Sequence, residues 1–423
     1  MERIPLAIVG CGGMGHRHLF GLAELHRAGL SPFDLVAGCD PVTDNANSLA
    51  VQAEQLLGKR PVVVGTLAEL ESLGVAAVDI TTTPRYHHTL GVEAIERGWH
   101  AMIEKPVGLT VRASNRIRAA AKGASRVVSV AENYRRDPIN RLAKALIDAG
   151  VIGPPRFMIH QSSGGGNQMV ISVWRHQKDQ SGILLDVGVH FADILEYFMG
   201  EVSSVYAQTR LHEPTRYNPA ALGQESTSNP AGVYGKWQRA MPAEFEATAE
   251  DANYATVVFK SGAVAQYIED HAAHGKGIWS RQIHGSKGSM DMPNDRSGNI
   301  LKLTLNRKQT IDDASILDLA PDFRLDKATA TLFGGERLWR YDLPFEQIDR
   351  KLIAVEYDDF GRGILGERPV EVDLEQGTRS VAVTYAMLES GAAGGQPVDI
   401  DDVLAERITS YQDSIDEGLG LKT

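Results

Sequence analysis

The sequence predicts an α/β fold in two parts. A doubly wound parallel sheet comes first, and an α+β domain with a large open, mainly antiparallel sheet follows. Three observations carry this. An apolar run, Ile4 to Val9, leads straight into Gly10-x-Gly12-x-x-Gly15. Strand-like and helix-like stretches then alternate up to about residue 130. After Asp137-Pro138 that rhythm gives way to alternation of apolar and polar residues.

The first element is a buried strand, because both of its faces are apolar. Each glycine after it has a distinct task. Gly10 permits a tight turn, Gly12 lets a pyrophosphate approach the backbone, and Gly15 lets the next helix pack on the strand. That helix, 14–28, begins with unpaired N–H groups and a positive dipole end, where phosphates bind. Leu35–Cys39 reads as the second strand and stops at Asp40. A carboxylate there can hold both ribose hydroxyls of an adenosine and would repel a 2′-phosphate. Pro41 and Val42 offer a phosphate nothing, which favours NAD over NADP.

Helix 44–57, strand 62–64, strand 76–80, helix 88–97, strand 100–103, helix 110–122 and strand 126–130 complete the first unit. Ligands bind outside the carboxyl ends of such strands. That rule gathers Gly10–Gly15, Asp40, Thr82–His88, Glu104–Pro106 and Glu132–Arg136 around one crevice. Helix 139–149, strand-like pieces at 155–162, 202–211, 253–259 and 263–269, and helix 186–199 make up the second unit. The expected domains are 1–132 and 133–423. Two stretches read as insertions: the proline-rich 211–247, an ordered excursion or lid, and 291–345, with strand-like pieces at Leu301–Leu305 and Ala328–Leu332.

Composition narrows the function classes. The chain has 423 residues, too many for one comfortable core. A net charge of −11 argues against nucleic acid and anionic membranes as partners. No stretch approaches the ~20 apolar residues that span a bilayer, and no signal peptide is visible. Two cysteines, Cys11 and Cys39, make no disulfide framework; they read as small buried apolar residues in a cytoplasmic protein.

Lys105 is the first chemical candidate. It lies past a strand end on the ligand side of the sheet, before Pro106. An ammonium there can stabilise a developing alkoxide; a surface lysine paired with Glu104 is the plainer alternative. Asp186, His190 and Asp193 stand at i, i+4 and i+7, on one helical face. A histidine near neutral pKa suits proton acceptance from a secondary alcohol; a core histidine bonded to a capping aspartate, or a weak metal site, are the alternatives. His16/His18 and His271/His274 read as helix-surface and loop residues. Tyr134, Arg135 and Arg136 suit a sugar hydroxyl or an anionic substituent, or form a solvated basic turn.

In order and spacing, Gly10-Cys-Gly-Gly-Met-Gly15, Asp40, Glu104-Lys105-Pro106 and Gly182-x-x-x-Asp186-x-Gly188-x-His190-x-x-Asp193 resemble the Gfo/Idh/MocA oxidoreductases. Asn133–Gly153 resembles the family's linker helix, Gly285–Gly288 its glycine turn, and Tyr357–Val398 its C-terminal stretch. The resemblance implies a Rossmann domain holding NAD through Gly10, Gly12, Gly13, Met14, Gly15, Asp40, Thr82, Pro84, His87, Glu104, Lys105, Asn133, Trp174 and Arg175. Whether His87 or His88 matches the family's histidine stays open. It also implies a cis bond before Pro106. Lys105, His190 and Asp186 would be catalytic, with Asp186 orienting His190 or holding a neighbouring hydroxyl and Asp193 supporting structure. Which of Lys105 and His190 is the formal base is left open. The implied reaction is NAD-dependent oxidation of a secondary hydroxyl of a sugar, cyclitol or glycoside. The alternative is glycoside hydrolysis through a transient 3-keto sugar with NAD recycled in the site; a non-catalytic NAD(H) sensor is a third. A homodimer or homotetramer would form through the C-terminal sheet.

Overall fold

The computed structural model describes residues 3–226 and 228–422. Met1, Glu2 and Thr423, at the ends of the expected domains, and Thr227, inside the 211–247 excursion, lie outside the described residues.

Six parallel strands make the first sheet: β1 Ile4–Val9, β2 Phe33–Cys39, β3 Val62–Val64, β4 Ala77–Ile80, β5 His100–Glu104 and β6 Val128–Ala131. Their order is β3-β2-β1-β4-β5-β6. The chain direction of winding reverses at β1, so a crevice opens beyond the ends of β1 and β4. The connecting helices are α1 Gly13–Arg27, α2 Thr43–Leu57, α3 Leu67–Leu70, α4 His87–Glu96 and α5 Val111–Ala121. Cys11 and Cys39 are both buried and free. Burial and the nearby Asp40 charge push the Cys39 thiol up to about 12.

The second unit begins with α6 Pro138–Asp148, where Asp137 caps the helix and Pro138 takes its first position. Its large sheet contains β7 Pro155–Gly165 and β8 Val202–Arg210. A helix of 17 residues between them, α7 Ile183–Met199, is apolar almost all round and lies buried against the sheet. A short hairpin follows, β9 Thr215–Tyr217 with β10 Glu244–Glu246, and it carries α8 Gly235–Ala240 on its loop. The sheet continues through β11 Ala252–Phe259, β12 Val264–Ala273, β13 Ile278–Gly285, β14 Gly288–Met292, β15 Lys302–Leu305, β16 Gln309–Ile311 and β17 Val398–Asp399. The nine strands run β16-β15-β14-β13-β7-β12-β11-β8-β17, and among these pairs only β7 and β12 are parallel. One face is covered; the other carries the exposed side chains of Phe157, Tyr206, Tyr254, Val264 and Ile278.

Three further helices were not foreseen as such. Ala328–Leu332, read as strand-like, is helical: α9 spans Lys327–Phe333, because Asp326 accepts the Thr329 N–H and Gly334 ends the turn in the left-handed region. Two long helices follow, α10 Phe345–Ile364 and α11 Leu374–Ala392. Helix α10 returns to the first unit and packs on α1 so closely that a Cβ on Gly21 would stand 2.4 Å from the Ile353 side chain.

Between α1, α10 and the parallel sheet lies a buried layer of charge. His18, read as a surface residue, is fully buried: its Nδ1 meets Asp79 at 2.9 Å and its Nε2 meets Glu104 at 3.0 Å. Burial opposes its charge, but the two carboxylates hold its pKa well above the ordinary histidine value. Tyr357 donates to Asp79 from α10. Beside them Glu356 is buried, and neither of its carboxyl oxygens has a hydrogen-bond partner among the described residues. Burial raises its pKa to about 8.

Glu356 therefore binds its proton more tightly folded than unfolded. Its contribution to stability is complete below the unfolded carboxyl value and is lost as pH rises through about 8. Melting temperature should fall between about pH 4.5 and 8 and level off above that, and Glu356→Gln should make that decline shallower. Parallel Tm-against-pH curves for the two proteins would show that this carboxyl does not titrate as described.

Candidate active site

The crevice begins at the glycine turn. Gly10 has φ +96°, and a Cβ there would lie 2.8 Å from the Thr82 backbone nitrogen. A Cβ on Gly15 would lie 2.3 Å from the Gly10 carbonyl oxygen, so α1 crosses β1 at a distance only glycine allows. Gly12 differs: a Cβ there would meet nothing within 4 Å. It is also the N-cap of α1 and has no side chain to cap with, so the first-turn N–H groups are available to an anion. Asp40 accepts the backbone N–H groups of Cys11 and Val42, each at 2.8 Å. Each of its oxygens keeps capacity for a hydroxyl donor. Gly10, Gly12, Gly13, Met14, Asp40 and Thr82 line one side of a groove of about 410 Å³, and Trp174 and Arg175 line part of the other. Open backbone, an uncapped helix start and a carboxylate at the end of β2 together fit an adenine dinucleotide.

The reactive end is built across the two units. The Lys105–Pro106 bond is cis, as the resemblance implied. The Lys105 ammonium donates to the Asp186 carbonyl at 2.7 Å and to its carboxylate at 3.1 Å. The other Asp186 oxygen takes the Arg175 Nε–H at 2.8 Å. Burial works against the Asp186 charge, yet Arg175 and Lys105 hold the carboxyl well below the usual carboxylate range. One turn further along α7, His190 Nδ1 meets both oxygens of Glu132, at 2.8 and 2.7 Å. Its ring stacks on Tyr134 with centroids 4.1 Å apart and planes within 3°. Burial, then the Lys105 and Arg296 charges, holds His190 well below the ordinary histidine value. Burial raises Glu132 to about 7. The imidazole is therefore neutral, with its Nδ1–H directed at Glu132 and its Nε2 without a hydrogen-bond partner among the described residues.

Several expected side chains do other work. Asp186 does not orient His190; it is occupied by Lys105 and Arg175, and Glu132 takes the orienting position. The His87 ring nitrogens both lie on backbone carbonyls, those of Pro106 and Thr82, so its side chain braces two loops and does not enter the groove. The Glu104 carboxylate turns inward to His18. Pro84, itself buried, starts a 3₁₀ turn whose Tyr86 is exposed. Asn133 is buried, and its side-chain oxygen has no hydrogen-bond partner among the described residues. Arg175 does stack on Trp174, at 4.0 Å, but it is buried and not at the surface. Arg135 and Arg136 form neither a solvated turn nor a ligand site: Arg135 pairs with Asp193, and Arg136 with Asp359 and Glu371. His271 lies on β12 and not in a loop, bonded to Glu269.

Four contributors were missed. Glu132 sat in the strand-end list with no role, and only the fold could bring it to a residue 58 positions away. Arg296, from the 291–345 stretch, donates to the Tyr134 hydroxyl at 3.2 Å from a left-handed backbone with φ 57°. Tyr234 and Trp237, from the 211–247 excursion, line the groove.

Both parts of the chain resemble known proteins. A family model described as "Oxidoreductase family, NAD-binding Rossmann fold" matches residues 4–132. A second, "Oxidoreductase family, C-terminal alpha/beta domain", matches residues 144–400. The levoglucosan dehydrogenase of Pseudarthrobacter phenanthrenivorans is 29% identical over 300 residues, which are 69% of this chain and 73% of that one. The scyllo-inositol 2-dehydrogenase (NAD(+)) of Bacillus subtilis is 28% identical over 211 residues, 50% of this chain and 58% of its own. A solved structure of levoglucosan dehydrogenase with NADH and L-sorbose shares the fold: TM-score 0.73, 23% identity, covering 95% of this chain and 99% of that one. The chain belongs to the Gfo/Idh/MocA oxidoreductase family, with an N-terminal NAD-binding domain.

Proposed function

We propose that this Gfo/Idh/MocA oxidoreductase oxidises a secondary hydroxyl of a sugar, cyclitol or glycoside. One observation carries the reading. The Lys105 ammonium, past the end of a parallel strand, bonds Asp186 on α7 of the other unit, and one turn along that helix His190 bonds Glu132, past the end of the neighbouring parallel strand. The named activities of the relatives support the substrate class.

Bound nicotinamide supplies the hydride acceptor. His190 takes the hydroxyl proton at Nε2. Its Nδ1–H is held by Glu132, which sets the tautomer and raises the basicity of the free nitrogen. Lys105 spends two of its three ammonium protons on Asp186, and the third serves the developing alkoxide. Tyr134, stacked on the imidazole and tied to Arg296, fixes the plane in which the proton moves. Gly12 and the start of α1 would hold the pyrophosphate, and Asp40 would hold the adenosine ribose. The exposed aromatic and aliphatic residues on the open face of the large sheet support self-association through it.

The direct test is a screen of sugars, cyclitols and glycosides with NAD and with NADP, following NADH absorbance and aglycone release together. Product NADH without aglycone supports net oxidation, and aglycone without NADH supports the redox-neutral hydrolytic route. Neither signal with any compound would remove the reading. Lys105→Ala should slow turnover by ~10²-fold or more while NADH still binds; near-normal rates in that variant take the ammonium out of the mechanism. Glu132→Gln carries a pH signature. Above about 7 the wild-type carboxyl is ionised and accepts the His190 proton, so activity rises with pH through that value. The variant should lose that limb and about tenfold in kcat. An unchanged pH profile would assign the limb to another group.

A further inference from the structure

The dinucleotide groove is not a two-sided cleft. Its outer boundary comes from the proline-rich excursion on the β9–β10 hairpin, through Tyr234, Trp237 and Met241. The Tyr234 ring lies on the glycine turn itself: a Cβ on Gly13 would be 2.4 Å from it. The Tyr234 hydroxyl accepts from Arg17 of α1 at 3.3 Å. Trp237 donates its indole N–H to Asn45 of α2 at 3.3 Å, with its ring 5.7 Å from His16 of α1. The excursion therefore starts in the second unit and touches both helices whose N-termini flank the nucleotide turn.

It is also firmly held. Arg216 on β9 is fully buried, pairs with Asp251 at 2.6 Å and donates to the Gly166 carbonyl at 2.7 Å. Gln238 on α8 is fully buried and donates to the carbonyls of Ile171 and Ser228. Asn218 bonds the Gln238 carbonyl in turn. The side-chain N–H donors of these three residues are bonded, while the Gln238 and Asn218 side-chain oxygens have no partner among the described residues; the bonded donors fix the wall, since losing a partner without rehydration costs free energy. The wall does not fill the site. With these aromatic rings in place the groove keeps about 410 Å³, and the space above Gly12 stays open.

We infer that Tyr234 and Trp237 are cofactor-positioning residues, forming a cross-domain clasp that holds the ADP half of NAD against the glycine turn and makes its release slow. This rests on the NAD reading of the groove. Apolar rings on the open side remove water from the pyrophosphate and adenosine, which strengthens the contacts to the α1 N–H groups. Leaving requires the dinucleotide to pass a wall anchored at Arg216 and Gln238.

Release can be read without catalysis. Protein loaded with NADH is mixed with excess NAD, and the decay of NADH fluorescence gives the off-rate. Tyr234→Ala and Trp237→Ala should each raise it by about tenfold or more, while Tyr234→Phe, which keeps the ring, should stay within about threefold of wild type. Off-rates in both alanine variants within about twofold of wild type, at unchanged Tm, overturn the inference. If an alanine variant melts early, tryptophan-sensitised NADH emission decides. It should drop in Trp237→Phe and hold in Trp339→Phe, a change of the same type placed in the other inserted stretch; equal emission from both overturns the clasp. No NADH signal from the wild-type protein would instead overturn the NAD reading, and the clasp with it.

Discussion

The structure turns on one carboxylate. Asp186 sits between an ammonium from the parallel sheet and a guanidinium from its own unit, at 3.1 and 2.8 Å, almost wholly out of solvent. Burying a single charge among apolar groups would be prohibitive, and burying a compensated set is tolerable only when geometry and hydrogen bonding are complete. The Asp186 carbonyl adds one more acceptor to Lys105. The two units are thus joined at the place where the chemistry is placed. The ion pair also fixes where His190 stands, since it is one turn along the same helix.

From that joint outward the molecule pairs its buried charges, some between the two units and others within one of them. Arg17 of α1 bonds Asp349 of α10 at 2.9 Å, His18 bridges Asp79 and Glu104, Arg135 takes Asp193, and Arg136 takes Asp359. Lys105 and Glu104, neighbours in sequence, point to opposite sides of the sheet end. One faces the site and the other the charged layer beneath it. A change at His18 or Tyr357 would therefore reach the site through the backbone of Glu104 and Lys105, with no contact to any ligand.

Both inserted stretches converge on the site. The excursion at 211–247 supplies the outer wall of the groove, and the stretch at 291–345 supplies Arg296 above Tyr134. Arg296 holds a left-handed backbone without being glycine, a conformation that persists only where surroundings enforce it. Here its N–H is bonded to Asp137 and its guanidinium lies over Tyr134 and Phe345.

Local pattern alone was enough for the winding of the first sheet, the glycine turn, Asp40 at the end of the second strand, and Lys105 past a strand end on the ligand side; a role for His190 came from the family resemblance. The former follow from strand and helix periodicities and from the steric demands of single glycines, which are properties of neighbouring residues. Helices α10 and α11 were illegible for the opposite reason. Asp349, Glu356, Asp358 and Asp359 face inward on α10, so its buried side does not read as apolar. Ala328–Leu332 looked like a strand because its alternation was local, while Asp326 and Gly334 set it as a helix. Glu132 on His190, Asp186 on Lys105 and not on the imidazole, and Tyr234 on Gly13 are decided only by tertiary structure. Each pairs residues far apart in the chain, and which buried charge meets which is settled by desolvation, a cost that exists only once the two units close.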